Sequence, residues 1–490
     1  MSFGVTEDGG RTADGGAGFF ATLVDLGMKQ NRVNIGWNPI YPTEIQSADY
    51  LNFWMPAAVL SPVRIIFSVS PYRARDLTSS RTAPRRFAAY VQLLARAFPD
   101  VNEFVIGNEP NQPRFWQPQF STKGKPLSAA AYEKVLALSY DALKGVDPSI
   151  MVVGVGLSPR GNDNPRATNN TSTSPVRFLH DLGAAYRASK RKKPIMDELA
   201  FHPYPRQNVD PPTSGYLWPN AGIPNLGRIK QAVWDAFHGT KQPTFAETGK
   251  RAPPNALKFV LDEIGWQVAI PDDLADLYYG QENVKTIDED TQARYYATVV
   301  RLVSCDPTVD SLNFFHLIDE PDLDRWQSGL LRMDGSKRPA YDAVKTAIET
   351  TGGRCLGKLV SWRHTNTVVG AKVRFLAGNR TTPASVTSWR ALARVAEEAT
   401  FRAGLFRIAG HSVSKKAIAG ALAAGRIRGA SLSATGRVKS NLARYIRLPA
   451  RRVAPGTYVY AVRLAAAMSP IRTKLFLTRP FRVVGASRPG

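Results

Sequence analysis

The chain has 490 residues, a formal net charge of +24, 43% apolar residues and two cysteines. This length allows two or three domains with a sizeable core, and this apolar content excludes a disordered chain. No uninterrupted apolar run of about 18 residues occurs, so no membrane span is expected. The N-terminus reads directly as a strand, with no basic-then-apolar signal segment.

The positive charge is concentrated near the C-terminus. Residues 355–490 contain 25 Lys and Arg against 2 Asp and Glu, whereas residues 1–354 contain 39 against 38. This shift predicts two domains, 1–354 and 355–490. The basic domain is expected to adhere to polyanions such as acidic polysaccharide, cell-wall polymer or an anionic lipid surface. No nucleic-acid motif is present, and the alternative is a solvated basic face that aids solubility.

The first domain alternates short apolar runs with amphipathic stretches, which indicates parallel strands joined by helices. The predicted strands are Phe3–Val5, Arg32–Ile35, Arg64–Ser68, Glu103–Ile106, Met151–Val155, Glu198–Phe201, Lys258–Leu261 and Ser311–Phe315. The predicted helices are Phe87–Ala97, Ala129–Lys144, Val176–Ser189, Leu226–Phe237, Asp290–Ser304 and Pro339–Thr350. Eight strands in about 350 residues predict an α/β fold, the (β/α)8 TIM barrel, with its active site at the C-terminal strand ends.

The second domain has a different pattern. Short alternating runs, such as Thr367–Phe375, Phe401–Ile408 and Thr457–Leu464, are separated by Gly, Pro, Ser and Thr. Pro455-Gly456 forms a turn that opens the last of these runs. Alternation with frequent turns predicts a C-terminal all-β sandwich domain.

The fourth predicted strand ends in Gly107-Asn108-Glu109-Pro110. A glutamate at this place points into the barrel mouth, where it can protonate a glycosidic oxygen and later activate water. Asn108 would donate a hydrogen bond to the sugar hydroxyl beside the reacting carbon. The alternative is that Asn-Glu-Pro is only a turn after a strand.

A second glutamate, Glu263, ends the seventh predicted strand and lies 154 positions after Glu109. It is predicted to be the nucleophile that forms a covalent glycosyl-enzyme. Cationic and hydroxyl neighbours are expected to keep it ionised. Asp262 should face the opposite way, because successive residues of a strand point to opposite sides. The alternative for Glu263 is a strand-end carboxylate in a salt bridge.

Three further residues are predicted to support these carboxylates. His202 and Tyr204 follow the sixth predicted strand two positions apart, so both share one face of an extended segment. Tyr204 is expected to donate a hydrogen bond to Glu263. Arg32 opens the second strand, and Glu263 is its predicted partner. The alternatives are a core histidine for His202 and an unrelated salt bridge for Arg32.

Aromatic and polar residues near the strand ends are candidates for sugar contact, because sugar C–H bonds stack on aromatic faces. Trp116 and Trp326 lie in polar loops and are favoured, and Trp37 is a further candidate. His316 and Glu320 follow the eighth predicted strand and are expected to line the substrate site.

No metal or cofactor is predicted. The six histidines have no ligand spacing, and two cysteines form no zinc pattern. No glycine-rich phosphate-binding motif occurs. Glu247 imitates a strand end, but a long stretch with Pro and Gly separates it from the better strand at 258–261, so it receives no role.

Jointly, these residues resemble the clan A glycoside hydrolases, which are retaining (β/α)8 enzymes, and in particular families 39 and 5, the β-xylosidase-like and cellulase-like groups. The resemblance covers roughly residues 3–350 and is carried by Arg32, Asn108-Glu109, His202-Pro203-Tyr204 and Glu263. It implies Glu109 as acid/base and Glu263 as nucleophile, with Arg32, Asn108, His202 and Tyr204 as their supports.

One segment departs from the family pattern. Asn313-Phe314-Phe315-His316 lacks the tryptophan that is common after the eighth strand. His316 or Trp326 would take its place beside the reacting sugar. The resemblance therefore does not identify the sugar.

The predicted function is a retaining glycoside hydrolase that cleaves O-glycosidic bonds of glycosides, oligosaccharides or polysaccharides. The alternative is a carbohydrate-binding protein on a barrel that has lost catalysis. Cys305 and Cys355 each follow a helix of the barrel, so a disulfide and two free thiols both remain open. A disulfide favours export. A secreted or cell-surface location is expected, with the cytoplasm as the alternative.

Overall fold

The computed structural model describes residues 1–8, 14–376, 381–383, 389–409, 414–423 and 427–484. The chain divides into two compact units, Met1–Arg363 and His364–Gly490. Charge places the boundary after residue 354, but the following segment belongs to the first unit. Cys355 forms a disulfide with Cys305, and the Val360 N–H donates to the Cys305 carbonyl at 2.7 Å. These bonds explain why the division lies beyond the change in composition.

The first unit is a closed barrel in which each strand pairs in parallel with the next and the eighth pairs with the first. The strands are β1 (Ser2–Thr6), β2 (Gln30–Trp37), β3 (Arg64–Pro71), β4 (Glu103–Ile106), β5 (Met151–Leu157), β6 (Glu198–Phe201), β7 (Phe259–Ile264) and β8 (Val309–Phe315). This order confirms the predicted TIM barrel. Parallel strands need a crossover between them, and helices supply it here.

Helices alternate with these strands in the described part of the first unit. They are α1 (Ala17–Asp25), α2 (Ala48–Leu60), α3 (Ala83–Ala97), α4 (Ser128–Lys144), α5 (Pro175–Ala188), α6 (Leu226–Phe237), α7 (Glu289–Ser304) and α8 (Pro339–Thr351). The sequence analysis missed α1 and α2, because both are apolar at most positions and the helical period is hidden. None of the helices in the described ranges combines the length and hydrophobicity needed to cross a bilayer.

The core of the barrel unit has two layers. Outside the strands, helix α3 shows how the helices attach: Phe87, Tyr90, Val91 and Leu94 recur at helical spacing and are all buried. Burial of one such side chain contributes about 1.5–3 kcal/mol. Inside the barrel, one side chain from each of five neighbouring strands forms a buried cluster: Ile66, Val105, Val153, Ala200 and Val260.

The second unit, taken by itself, is a sandwich of two sheets. Its strands are β9 (Lys372–Phe375), β10 (Thr381–Pro383), β11 (Arg390–Arg394), β12 (Ala399–Ile408), β13 (Ala430–Val438), β14 (Arg444–Arg447), β15 (Gly456–Ala466), β16 (Ser469–Leu477) and β17 (Phe481–Val484). One sheet has the order β10-β17-β15-β12-β13 with β16 beside β15, and the other has β14-β11-β9. Residues such as Phe401, Tyr460 and Ile446 form one buried cluster. The predicted β-domain is confirmed.

A short helix, α9 (Lys415–Ala421), is an addition to the predicted all-β domain. Ser414 caps it by accepting a hydrogen bond from the Ala417 N–H at 3.2 Å. Ile418 on this helix joins a second apolar cluster with Phe406. The helix therefore covers an apolar part of the larger sheet.

Candidate active site

Glu109 is held at the barrel mouth by a sharp turn after β4. Gly107 has a φ of 80°, and Glu109 itself has a φ of 37°. A non-glycine residue in this left-handed region costs about 1–3 kcal/mol and persists only where its surroundings hold it. Here the Glu109 N–H donates to the Gly156 carbonyl at 2.9 Å. The Glu109 side chain is 14% exposed, so it is accessible to a substrate.

Asp262 and Glu263, at the end of β7, both point into the site. The pairing of β7 with β8 shifts register between Leu261 and Ile264, and such a shift breaks the regular alternation of side chains. The prediction that Asp262 faces away from the site is therefore wrong. Its carboxylate is fully buried at an ion-pair distance of 3.0 Å from Arg32.

Arg32 of β2 connects the carboxylates from inside the barrel. Its Nε lies 3.0 Å from Asp262 Oδ2, and its Nη1 lies 2.8 Å from Glu263 Oε1. Its Nη2 donates to Ser68 Oγ at 2.8 Å and to Asn108 Oδ1 at 2.9 Å. The predicted pairing of Arg32 with Glu263 is confirmed. Burial acts to lower the pKa of Arg32, but the two carboxylates prevail and raise it, so the guanidinium stays charged.

His202, just after β6, is fully buried between three carboxylates. Its Nδ1 lies 3.1 Å from Glu109 Oε1 and 3.4 Å from Glu263 Oε2, and its Nε2 lies 3.3 Å from Asp262 Oδ1. Burial acts to lower the pKa of His202, but the carboxylates of Glu263, Asp262 and Glu109 raise it to about 10. The imidazole is therefore a cation at neutral pH.

The shared contact with His202 limits how far apart the two glutamates lie. Oε1 of Glu109 and Oε2 of Glu263 approach the same nitrogen at 3.1 and 3.4 Å. Their separation therefore cannot exceed these two distances placed end to end. Carboxyl groups of retaining glycosidases lie about 5–5.5 Å apart, and those of inverting enzymes about 6.5–9.5 Å apart. The limit applies to the two nearest carboxyl oxygens, and it includes the whole retaining range.

Tyr204 connects Glu263 to the aromatic side of the site. Its hydroxyl donates to Glu263 Oε2 at 3.1 Å, as predicted. Its ring lies 4.8 Å from the Trp326 ring between centroids. Burial raises the pKa of Tyr204 well above its ordinary value, and the negative charges of Glu263 and Glu109 add to this effect. The phenol therefore remains a hydrogen-bond donor.

The pKa of Glu263 reflects opposing influences. Burial raises it, His202 and Arg32 lower it, and the charges of Glu109 and Asp262 raise it again. The net direction is upward, because burial outweighs the two cations. The expectation that these neighbours keep Glu263 ionised stays a prediction. Burial is the dominant cause, because only 10% of the Glu263 side chain is exposed at the base of the barrel mouth.

These residues lie at the base of an open cleft of about 1390 Å³. Loops after many of the barrel strands contribute to its walls. Of the predicted site residues, those that line it are Asn108, Glu109, Tyr204, Glu263, His316, Glu320 and Trp326. Typical small-molecule pockets occupy about 300–1,000 Å³, so this cleft has room for more than one sugar ring.

His316 and Glu320, after β8, lie together on one wall of the cleft. The His316 ring nitrogens are 3.5 Å from Glu7 Oε2 and 3.6 Å from Glu320 Oε2. Burial acts to lower the pKa of His316, but these two carboxylates raise it to about 10. Half-buried Trp326 adjoins them, because its backbone N–H donates to Glu320 Oε2 at 3.1 Å. This wall therefore combines an aromatic face with charged groups.

Two predicted sugar platforms are not in the cleft. Trp37 is fully buried and packs edge-on against Phe87 of α3, with ring centroids 5.6 Å apart. Trp116 is also buried and packs against Tyr132 of α4 at 5.7 Å. Both predictions are wrong, because these indoles fill the core between strands, loops and helices. Their loop or strand-end position in the sequence does not reveal this packing.

Sequence reasoning also missed polar residues that belong to the site. Ser68 of β3 is fully buried against Arg32. Asp8 accepts hydrogen bonds from the Asn34 backbone and side chain at 2.7 and 2.8 Å, and both residues line the cleft. A serine within the apolar run Ile65-Ile66-Phe67-Ser68 was an available signal, since a buried hydroxyl requires a polar partner.

Within the described ranges, no group of three or more His, Cys, Asp and Glu side chains could hold a metal ion. The histidine and carboxylates of the site instead contact one another and Arg32.

No protein-family model matches this chain, and no curated protein matches it. Among solved structures, a family 39 glycoside hydrolase from the gut symbiont Bacteroides cellulosilyticus WH2 is 16% identical, with 92% of this chain and 81% of that chain covered and a TM-score of 0.49. A family 39 β-xylosidase from Caulobacter crescentus is 13% identical, with 92% and 94% covered and a TM-score of 0.44.

A GH5_18 structure from Streptomyces cattleya, in complex with Manβ1-4GlcNAc, is 14% identical, with 78% of this chain and 85% of that chain covered and a TM-score of 0.47. These structures belong to glycoside hydrolase families 39 and 5, the two families that the sequence motifs resemble. At such identities and scores, the likeness carries no inference about activity, substrate or mechanism.

Proposed function

We propose that the barrel is a retaining glycoside hydrolase, with Glu263 as nucleophile and Glu109 as acid/base. One observation carries this proposal: both carboxylates meet at His202 Nδ1, at 3.1 and 3.4 Å. The resulting limit on their separation favours the shorter spacing, which leaves no room for a water molecule between sugar and carboxylate. The open cleft above them suits an oligosaccharide or polysaccharide.

In the first step, a Glu263 oxygen attacks the anomeric carbon and the bond to the leaving oxygen breaks. Glu109 donates its proton to that oxygen, and a glycosyl ester of Glu263 remains. Arg32 and Tyr204 contact different oxygens of Glu263, at 2.8 and 3.1 Å. They would orient the carboxylate and stabilise its charge before attack.

In the second step, Glu109 takes a proton from water, and the water oxygen displaces Glu263 from the anomeric carbon. His202 contacts both glutamates, so it would stabilise whichever one is negative at each stage. Asn108 is held by Arg32 at 2.9 Å, which leaves its amide N–H groups for a sugar hydroxyl. Glu109 loses its proton in the first step and regains one from water in the second, so both glutamates return to their starting states.

The test uses a panel of p-nitrophenyl glycosides and polysaccharides with the parent protein, Glu109→Ala and Glu263→Ala. Both variants should lose turnover of whichever glycoside the parent cleaves. Azide should restore turnover of an activated substrate in each variant, with opposite product anomers, because it replaces the nucleophile in one and the deglycosylating water in the other. Product anomers from the parent, followed by NMR, report retention directly.

Glu247→Gln is the matched control, because Glu247 is a barrel glutamate outside the cleft lining. It should leave turnover unchanged. Full activity in Glu263→Ala would contradict the nucleophile assignment. Binding of glycans by the parent without any turnover would favour the carbohydrate-binding alternative.

A second proposed role is binding of an acidic polymer by the C-terminal unit. Arg402 of β12 lies directly opposite Arg463 of β15, and like charges in this arrangement destabilise a sheet. Burial and the neighbouring charge of Arg402 together lower the pKa of Arg463. Two guanidinium groups side by side would bind an anionic group through charge-assisted hydrogen bonds. The excess of basic over acidic residues in 355–490 supports the same role.

Retention of the full chain on a sulfated-polymer column tests this role. Arg402→Gln/Arg463→Gln should elute at lower salt than the parent. Arg85→Gln/Arg96→Gln is the matched control, since both arginines are exposed on α3 of the barrel. Equal elution of the two double variants would mean that only net charge matters.

We also propose that the protein is exported, because disulfides persist mainly in oxidising compartments.

A further inference from the structure

The cleft has a cationic wall on the side of Glu109. The loops after β4, β5 and β6 each contribute one arginine to the cleft lining: Arg114, Arg160 and Arg206. On these three loops, Glu109 is the only acidic residue among the described lining residues. The other acidic lining residues lie at the end of β7 or on the loops after β1 and β8: Asp8, Glu263, Glu320 and Asp324. The two sides of the cleft therefore differ in charge.

These arginines are largely uncompensated. Arg114 and Arg160 are exposed, and neither forms an ion pair within the described part of the chain. Arg206 uses Nε to contact Asp210 Oδ2 at 3.2 Å. By contrast, Arg325 on the opposite wall lies 3.3 Å from Glu320 and 3.7 Å from Asp322. Because residues 1–354 carry nearly equal numbers of basic and acidic residues, the cationic wall does not follow from the overall charge of the barrel.

Hydrogen bonds hold the loops of the cationic wall together. Arg160 Nη1 donates to the Arg206 carbonyl at 3.2 Å, which places two of the three loops side by side. The side chain of Gln112 donates to the Arg160 carbonyl. The N–H of Gln112 in turn donates to the Glu109 carbonyl at 2.8 Å. Backbone and side-chain hydrogen bonds thus tie the wall to the turn that carries the proposed acid/base.

Tyr216 lies close to the cationic wall and to Glu109. Its hydroxyl donates to the Pro205 carbonyl at 2.7 Å. Burial raises the pKa of Tyr216, Arg160 and Arg206 oppose that rise, and Glu109 adds to it. The two guanidinium groups and the Glu109 carboxylate therefore all act electrostatically on the Tyr216 phenol. The two arginines lie within electrostatic reach of the place where the leaving group departs.

We propose that the leaving-group side of the cleft binds a sugar that carries a carboxylate or sulfate group, so that the substrate is an acidic glycan. This inference rests on the proposed glycosidase function. The acid/base protonates the leaving oxygen, and therefore the sugar beside Glu109 is the leaving sugar. Guanidinium groups match the planar geometry of carboxylate and the oxygens of sulfate, and they bind both through paired, charge-assisted hydrogen bonds.

The experiment compares each acidic glycan with its own neutral form. Glucuronoxylan is paired with the same polymer after carbodiimide–borohydride reduction of its carboxyl groups. Carrageenan, a sulfated galactan without carboxyl groups, is paired with its desulfated form. Polygalacturonate and alginate are treated as glucuronoxylan is. The proteins are the parent, Arg160→Gln/Arg206→Gln, and the exterior control Arg85→Gln/Arg96→Gln, which makes the same change in net charge. All keep the basic C-terminal unit, so its attraction for polyanions is constant.

The parent should cleave one acidic glycan with a kcat/KM about 10- to 100-fold above that of its neutral form, the range expected for hydrogen bonds to charged groups. Arg160→Gln/Arg206→Gln should lose this preference, so that its kcat/KM on the acidic form is no higher than on the neutral form, whereas the exterior control should keep the preference of the parent. The pair of acidic and neutral glycans that shows this difference in kcat/KM identifies carboxylate or sulfate as the recognised group.

Binding separates failure of this inference from failure of the proposed function. Calorimetry with Glu263→Gln should show the same acidic preference, and the added Arg160→Gln/Arg206→Gln substitutions should abolish it. Turnover of neutral glycans with no acidic preference would overturn the inference and leave the glycosidase intact. No turnover, combined with acidic binding that depends on the two arginines, would overturn the glycosidase and retain the anionic site. Equal binding of both forms would overturn the inference in either case.

Discussion

Arg32 and Glu263 lie 231 positions apart in the chain and form a 2.8 Å ion pair inside the barrel. Arg32 also forms an ion pair with Asp262, so its two ion-pair partners among the described residues both come from the end of β7. Removing one partner from a buried pair is costly, because an uncompensated charge remains in a medium of low dielectric constant. This ion pair therefore links the stability of the barrel to the arrangement of its candidate active site.

Arg32→Met should lower the free energy of unfolding by about 3–5 kcal/mol, because Asp262 and Glu263 lose their buried cation. Urea denaturation measures this loss. Lys258→Met is the control: Lys258 pairs with Asp310 at 2.7 Å but is 52% exposed, so about 1 kcal/mol or less is expected. Arg32→Lys, which keeps the charge without the guanidinium fork, should fall between the two. A stability of Arg32→Met equal to that of the parent would contradict this account.

Tyr204→Phe should reduce kcat/KM by about 10- to 100-fold, the effect of losing a hydrogen bond to a charged group. The phenol donates to Glu263 Oε2 and favours the ionised carboxylate. Its loss raises the pKa of Glu263, so activity should disappear at a higher pH as the solution is acidified. The pH profile of kcat/KM measures this shift. Tyr140→Phe, which removes a bond to Asp197 at 3.3 Å far from the cleft, should leave the profile unchanged.

Glu103 predicts a pH dependence of stability that does not involve the cleft. Burial raises its pKa from 4.5 to about 7, although Arg64 opposes the rise. Its Oε1 is buried without a hydrogen-bond partner among the described residues. Because the folded-state pKa lies above the unfolded value, the stabilising contribution is fully present below about pH 4.5 and is lost as the pH rises through about 7.

Glu103→Gln should remove most of this dependence, which is on the order of 3 kcal/mol for a pKa difference of this size. The free energy of unfolding at pH 5 and pH 8, measured with urea, gives the difference for each protein. Glu349→Gln, at an exposed position of α8, should retain the slope of the parent. An identical slope in Glu103→Gln would show that other groups control it.

The disulfide between Cys305 and Cys355 spans a sequence separation of 50 residues. Closing such a loop in the unfolded chain should stabilise the barrel by about 2–4 kcal/mol. Cys305→Ser/Cys355→Ser should therefore have a lower Tm than the oxidised parent, and reduction of the parent should give the same Tm as the double variant. Titration of thiols in the denatured, unreduced parent should detect none. Two free thiols would show that the bond is not formed in solution.

Local sequence pattern alone determines much of the fold. The eight strands of the barrel are visible as short apolar runs, because parallel strands are buried on both faces. Glu109 and Glu263 could be singled out because each follows such a run. The charge difference between residues 1–354 and 355–490 likewise indicates a second domain, since composition is independent of folding.

Long-range packing decided the remainder. The register shift in β7 turns Asp262 into the site, and core packing removes Trp37 and Trp116 from the cleft. The meeting of Glu109 and Glu263 at His202 exists only because the barrel closes and brings β4, β6 and β7 to one centre. A strand-by-strand pattern predicts which end of the barrel a residue occupies, but side-chain direction and contact depend on neighbours that are distant in sequence.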